Sequence, residues 1–214
     1  MTSAAPETPA ATQAQAAYAA DWQAFMDWPS SYINAGRLDA CFEGRLGRDL
    51  CGRLRILRRL RERISRIVAE HHGLALPVPL ASCGEGDRAI ALAAPERLLE
   101  IARRSGAIYW ARAIAGVVRA SDVAALHREL DEALCSFALA HRDLAGAQSL
   151  TAIEGIGACC VEDGLRCVAA WTCALPEAVG QRVRLKLAAQ AAIDTAPQPP
   201  FNDIGPAVVR RAAT

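Results

Sequence analysis

From residue 15 to 193 apolar residues recur at three- and four-residue spacing, cut by prolines and glycines, and alternation at period two is scarce. A chain patterned this way buries its side chains along helices, not across a sheet. The clearest stripe lies in 122–142, where Leu126, Leu130, Ala133, Phe137 and Ala140 share one helical face. The pattern predicts an all-α fold: a single compact multi-helix domain over 15–193 with disordered termini. Residues 1–14 carry Ala, Thr, Pro and Gln without period and predict a disordered tail. Residues 194–214 are rich in proline and predict a loose C-terminal tail.

Local signals set the expected elements. A first helix over about 15–27 stops before Pro29. A short one covers about 37–46, and a long one covers about 47–72, ended by Gly73 with His71 and His72 in its last turn. The segment LALPVPLASCGEGD is expected to be irregular, with an extended piece at RAIAL. Pro95 opens a helix that runs to Gly106, and 106–118 forms another. Ser121 caps a helix over 122–142. Thr151 and Glu154 form a capping box for 152–175, which Pro176 ends. Pro176 opens a last helix to about Ile193.

The chain has 214 residues and a net charge of +1, so no overall charge excess draws it to nucleic acid or a membrane. No apolar run reaches the roughly 20 residues of a spanning helix, and the N-terminus lacks the basic and apolar regions of a secretory signal. These features predict a cytoplasmic protein, in which the 8 cysteines stay reduced.

The stretch GACCVEDGLRCVAAWTC, 157–173, holds four of those cysteines. At 100° per residue, Cys160, Cys167 and Trp171 fall on one face with Val161, Leu165, Val168 and Leu175. Cys159 and Cys173 fall on the other, among Glu162, Arg166 and Ala170. The thiols diverge, and Cys160 and Cys167 lie about 10 Å apart along the axis, too far for a disulfide. No two cysteines have the two-to-four-residue spacing of a zinc knuckle. His127 and His141 are too far apart on one helix to share a metal. The sequence therefore predicts no metal and no cofactor, and the clustered cysteines read as core residues. No phosphate-binding loop, dinucleotide fingerprint or nucleophile elbow is present. The adjacent carboxylates Glu162 and Asp163 read as solvated surface. A thiol-dependent enzyme or redox sensor would have to use Cys83, in its glycine-rich turn, or Cys173, on a polar helix face.

Charge concentrates in RLGRDLCGRLRILRRLRERISR, 45–66, where nine arginines face Asp49 and Glu62 for a net of +7. As one helix, its core stripe is Leu50, Leu54, Leu57, Leu60, Ile64 and Val68. Arg48, Arg55, Arg58, Arg59, Arg63 and Arg66 form the opposite face, and Arg53 and Arg61 fall inside the apolar arc. Such a face suits a nucleic acid, an anionic membrane surface or an acidic protein, or is simply solvated. No stacking aromatic is interleaved with it and no nucleic-acid-binding module surrounds it, so an acidic protein partner is the preferred functional reading.

The segment 92–139 resembles the K-type subunit of the bacterial type III secretion sorting platform (the SctK/YscK family). The matching residues are Leu92, Pro95, Leu98, Leu99, Gly106, Arg112, Leu126, Leu130 and Phe137. FMDWPSSYINAGRL, 25–38, is similar to another region of that family through Phe25, Pro29, Tyr32 and Leu38, although Asn34, Ala35 and Gly36 replace its His-Pro-Ser. CALPEAVGQRVRLKLA fits its closing basic helix. The resemblance covers about 22–190 and is nearest to the Hrp-type branch. It implies a non-enzymatic adaptor peripheral to the inner-membrane secretion apparatus. The implied partners are the cytosolic domain of the inner-membrane ring protein and the C-ring-like Q subunit, with no nucleic acid and no membrane insertion.

Overall fold

The computed structural model describes residues 9–214. It is 72% helical with no strand among the described residues, so the all-α class holds. The helices are α1 (Pro9–Asp27), α2 (Ala35–Ala40), α3 (Arg48–Ile56), α4 (Arg61–His72), α5 (Glu85–Leu92), α6 (Pro95–Tyr109) and α7 (Ala111–Ala115). They continue as α8 (Ala120–Leu130), α9 (Glu132–Ala140), α10 (Ile156–Ala174), α11 (Glu177–Leu185), α12 (Ala191–Asp194) and α13 (Phe201–Ala212).

Helix α10 is the axis of the molecule, and glycines let its neighbours approach. A Cβ on Gly106 of α6 would lie 1.7 Å from the Cys160 carbonyl oxygen, and one on Gly164 of α10 would lie 1.8 Å from the Ala102 carbonyl oxygen. Ala102 and Gly106 on one helix thus face Cys160 and Gly164 on the other, each pair four residues apart. Gly180 of α11 meets the Thr172 carbonyl and Gly205 of α13 meets Cys167 and Ala170 in the same way. The cysteines of α10 are small enough for these crossings. Cys160 and Cys167 are buried beside Trp171, and burial pushes both thiols up to about 12. Cys159 and Cys173 are exposed. Val161 is exposed and Ala170 buried, the reverse of the expected pattern; Ala170 lies under Gly205 of α13.

The predicted loose C-terminal tail is wrong: α13 is a core helix. Phe201, Val208, Val209 and Ala212 are buried against α10 and α6. Burying Phe and two Val side chains contributes about 1.5–3 kcal/mol each. That outweighs the roughly 3 kcal/mol cost of Pro206 inside the helix. Asp87 of α5 adds a tie, accepting from Trp171 Nε1 at 2.9 Å and from Arg210 Nε at 2.8 Å. Burial raises the Asp87 carboxyl, but these bonds outweigh it and hold the group below its usual range. At the other end, the expected tail over 1–14 lies partly outside the described residues. Residues 9–14 already belong to α1.

Several expected helices break or move. The 122–142 helix divides at Asp131, whose φ of 58° starts α9 and whose Oδ1 accepts from Leu134 N at 2.7 Å. Beyond that break the buried residues are Leu134, Cys135 and Ala138, and Ala133 and Ala140 are exposed. RAIAL lies in α5, not in an extended piece. α6 runs through Gly106, which is there for the crossing rather than as a stop. α8 begins without a side-chain cap from Ser121, and α10 starts from left-handed Gly155 (φ 82°) rather than from a Thr151–Glu154 box. Asp163 is buried, accepting from Trp110 Nε1 and Arg166, so it is not solvated surface.

Three buried cations staple helix ends. Lys186, the chain's single lysine, donates to the Ala91 and Ala93 carbonyls at 2.6 and 2.8 Å, capping α5. Its ammonium lies 4.9 Å from the Phe25 ring centre and 5.3 Å from that of Tyr32. Arg182 donates to Met26, Ala75 and Ala178 carbonyls, and Arg37 donates to the Leu187 carbonyl and to Asp194.

Candidate functional site

Away from the main core, a small apolar cluster of Ile33, Leu38, Cys51, Ile64, Val68 and Leu185 holds α2, α3 and α4 together. The arginine-rich segment lies over it. The expected single helix 47–72 is absent: Leu57 adopts φ −79° and ψ 95°, ending α3, and a 3-10 turn at Arg58–Leu60 leads into α4. The result is an elbow. Its first arm buries Cys51 in place of Leu50, so the expected stripe holds only at Ile64 and Val68. Leu54 and Leu60 are half-buried, while Leu50, Ile56 and Leu57 are exposed, Ile56 at 77%.

Of the predicted arginine face, Arg48, Arg58, Arg59, Arg63 and Arg66 are exposed. Arg55 departs from it: it is half-buried and donates to the Ser31 carbonyl at 3.4 Å. Arg61 lies over the Trp28 ring at 5.9 Å, and Arg53 is exposed rather than in an apolar arc. Among the described residues, no arginine from Arg48 to Arg66 forms an ion pair. The patch therefore combines unpaired guanidinium groups with uncovered Leu and Ile.

A second group of residues, which spacing along the chain does not reveal, closes the same region. α4 ends in a Schellman turn: left-handed Gly73 donates to the Glu70 carbonyl and Leu74 N donates to Ala69 O at 2.9 Å. This fixes His71 and His72. α2 is capped by Asn34 and ends at Cys41. Cys41 Sγ lies 3.6 Å from His72 Nε2 and donates to the Arg37 carbonyl at 3.3 Å. The ligand atoms of Cys41, His71 and His72 all lie within 4.8 Å of one another. Burial, then His71, then Arg37 lower the His72 imidazole from its ordinary range, and burial raises the Cys41 thiol. The only sequence signal for this trio was the His-His pair before a helix-ending glycine. Its cysteine partner is thirty-one residues away along the chain.

The two cysteines considered for thiol chemistry differ. Cys83 is buried and its thiol is raised, first by burial and then by Asp87, the opposite of what a reactive thiolate needs. Cys173 is exposed, with Arg184 Nη2 2.7 Å from its sulfur. No described helix is long and apolar enough to cross a membrane. No known family model, curated protein or solved structure matches the chain. Fold and surface together define an all-α protein with an arginine–aliphatic elbow carried on a small subsidiary core.

Proposed function

We propose that this chain is a non-enzymatic cytoplasmic adaptor that docks an acidic protein surface through the α3–α4 elbow. The observation that carries this reading is the exposure of Leu50, Ile56 and Leu57 among the arginines from Arg48 to Arg66, none of which pairs with a carboxylate among the described residues. Arginine and aliphatic side chains together supply both the charge steering and the desolvated centre of such an interface. The resemblance over 22–190 supplies the setting: a type III secretion sorting platform at the inner membrane. The cytosolic domain of the ring protein and the Q subunit are the partners it implies.

Co-purification from cells carrying the complete secretion apparatus tests this. The tagged chain should retain the ring protein or the Q subunit, and the triple variant Arg58→Glu, Arg59→Glu, Arg63→Glu should lose one of them while keeping its helical content. Retention of neither by the unaltered chain sinks the adaptor reading. Nuclease-sensitive retention of nucleic acid would replace the protein partner with a nucleic-acid one.

A further inference from the structure

Two helix C-termini converge where α2 ends at Cys41 and α4 ends at His71 and His72. The last carbonyls of a helix carry partial negative charge, so this is a place that favours a cation. The side chains that point there are a thiol and two imidazoles, the donors that borderline-soft divalent metals select. Zinc bonds of about 2.3 Å to sulfur and 2.0 Å to nitrogen, at the tetrahedral angle, give a sulfur–nitrogen edge of about 3.5 Å. The Cys41 Sγ to His72 Nε2 separation is 3.6 Å. His71 Nδ1 or Nε2 falls inside the same 4.8 Å group, and its exposed side chain is free to swing the remaining distance.

The surroundings support such a site. The Schellman turn at Gly73 holds the end of α4, and Phe42 N and Gly44 N, each donating to the Asp39 carbonyl at 2.9 Å, hold the chain where α2 ends, all without the three donor side chains. Arg37, the nearest cation on α2, is occupied by Asp194 at 2.6 Å and by the Leu187 carbonyl. Cys41 and His72 are half-buried and His71 is exposed, so a metal held by these three donors would keep one coordination position within reach of solvent. That is the arrangement of a zinc site that keeps one ligand exchangeable, rather than a closed four-ligand structural site.

We infer that Cys41, His71 and His72 form a binding site for a zinc-type divalent cation with one coordination position open to solvent or to a donor from a partner. Binding replaces the thiol proton by the metal, and the proton leaves to solvent.

Zinc titration of the purified full-length chain, with cobalt(II) as the spectroscopic probe, tests this. One equivalent of zinc should bind, and cobalt should give a thiolate-to-cobalt charge-transfer band with tetrahedral d–d absorption. Cys41→Ser should abolish the charge-transfer band. Cys41→Ser and His71→Ala should each weaken zinc binding at least about tenfold, while His127→Ala, Cys159→Ser and Cys173→Ser should leave it unchanged. His71 is exposed, so its variant should melt like the unaltered chain in chelator, which separates lost ligation from lost folding. No zinc binding by the unaltered chain, no thiolate band, or undiminished binding in either ligand variant would show that Cys41 and His72 are a hydrogen-bonded pair only. None of these outcomes depends on the secretion partners.

Discussion

Replacing Gly106 by alanine should be among the most damaging single-methyl additions in this protein. The new Cβ would lie 1.7 Å from the Cys160 carbonyl oxygen, against an ordinary contact distance of 3.4–4 Å. The α6 backbone fixes the Cβ and the oxygen belongs to the α10 backbone, so no rotamer change can relieve the clash. The helices α6 and α10 must move apart by on the order of 1.5 Å, and a gap of even 0.5–1 Å forfeits a quarter to a half of each dispersion contact. The cost should exceed the usual 1–3 kcal/mol of overpacking. The better helix propensity of alanine returns about 1 kcal/mol. We expect a net loss of about 3 kcal/mol and a melting temperature lower by roughly 6–12 °C. Gly164→Ala meets the Ala102 carbonyl at 1.8 Å and should cost about as much. Because one separation accommodates both methyl groups, the double variant should cost clearly less than the sum. Urea denaturation followed by circular dichroism measures all three. Gly52→Ala in α3, where a Cβ meets nothing within 4 Å, is the control and should stabilise by about 0.5–1 kcal/mol. A Gly106→Ala variant as benign as the control, or fully additive costs, would refute the close crossing.

Truncation before Phe201 should yield an aggregating or molten chain rather than a trimmed domain, since it strips the α10 face that α13 covers; a cooperative melt at the original temperature would contradict this. Lys186 should make stability pH-dependent. Burial lowers its ammonium to about 8 in the folded chain, while the unfolded chain retains a value of about 10.4. Between these values the unfolded state holds the extra proton, so stability should rise with pH across this window, by about 3 kcal/mol. Lys186→Met should lose that rise relative to the unaltered chain. Parallel stability–pH curves for the two proteins would count against it.

The sequence made the helical class legible because period and punctuation agree over most of the chain. It also sorted Cys160 and Cys167 from Cys159 and Cys173, since one wheel suffices for a straight helix. It failed where tertiary packing overrides local signals. The prolines of 194–214 read as a loose tail, but Phe201, Val208 and Val209 bury enough surface to hold a helix through Pro206. Gly106 looked like a stop, but its meaning lies in a carbonyl on another helix. Asp131 and Leu57 break apparently continuous stripes through backbone angles that no periodicity records. The site was half legible. The charge of 45–66 stood out, yet its exposed aliphatics appeared only once Leu57 bent the segment. The Cys41–His72 approach joins residues from two helices and left no spacing to read.

The most direct test of the adaptor account is the affinity of the purified chain for the cytosolic domain of the ring protein, measured by titration calorimetry alongside two elbow variants. Arg58→Glu with Arg59→Glu and Arg63→Glu removes the charge, and Ile56→Ser removes the most exposed aliphatic. The account predicts that each weakens binding about tenfold or more, the charge variant mainly at low salt. Binding unchanged in both variants would contradict it.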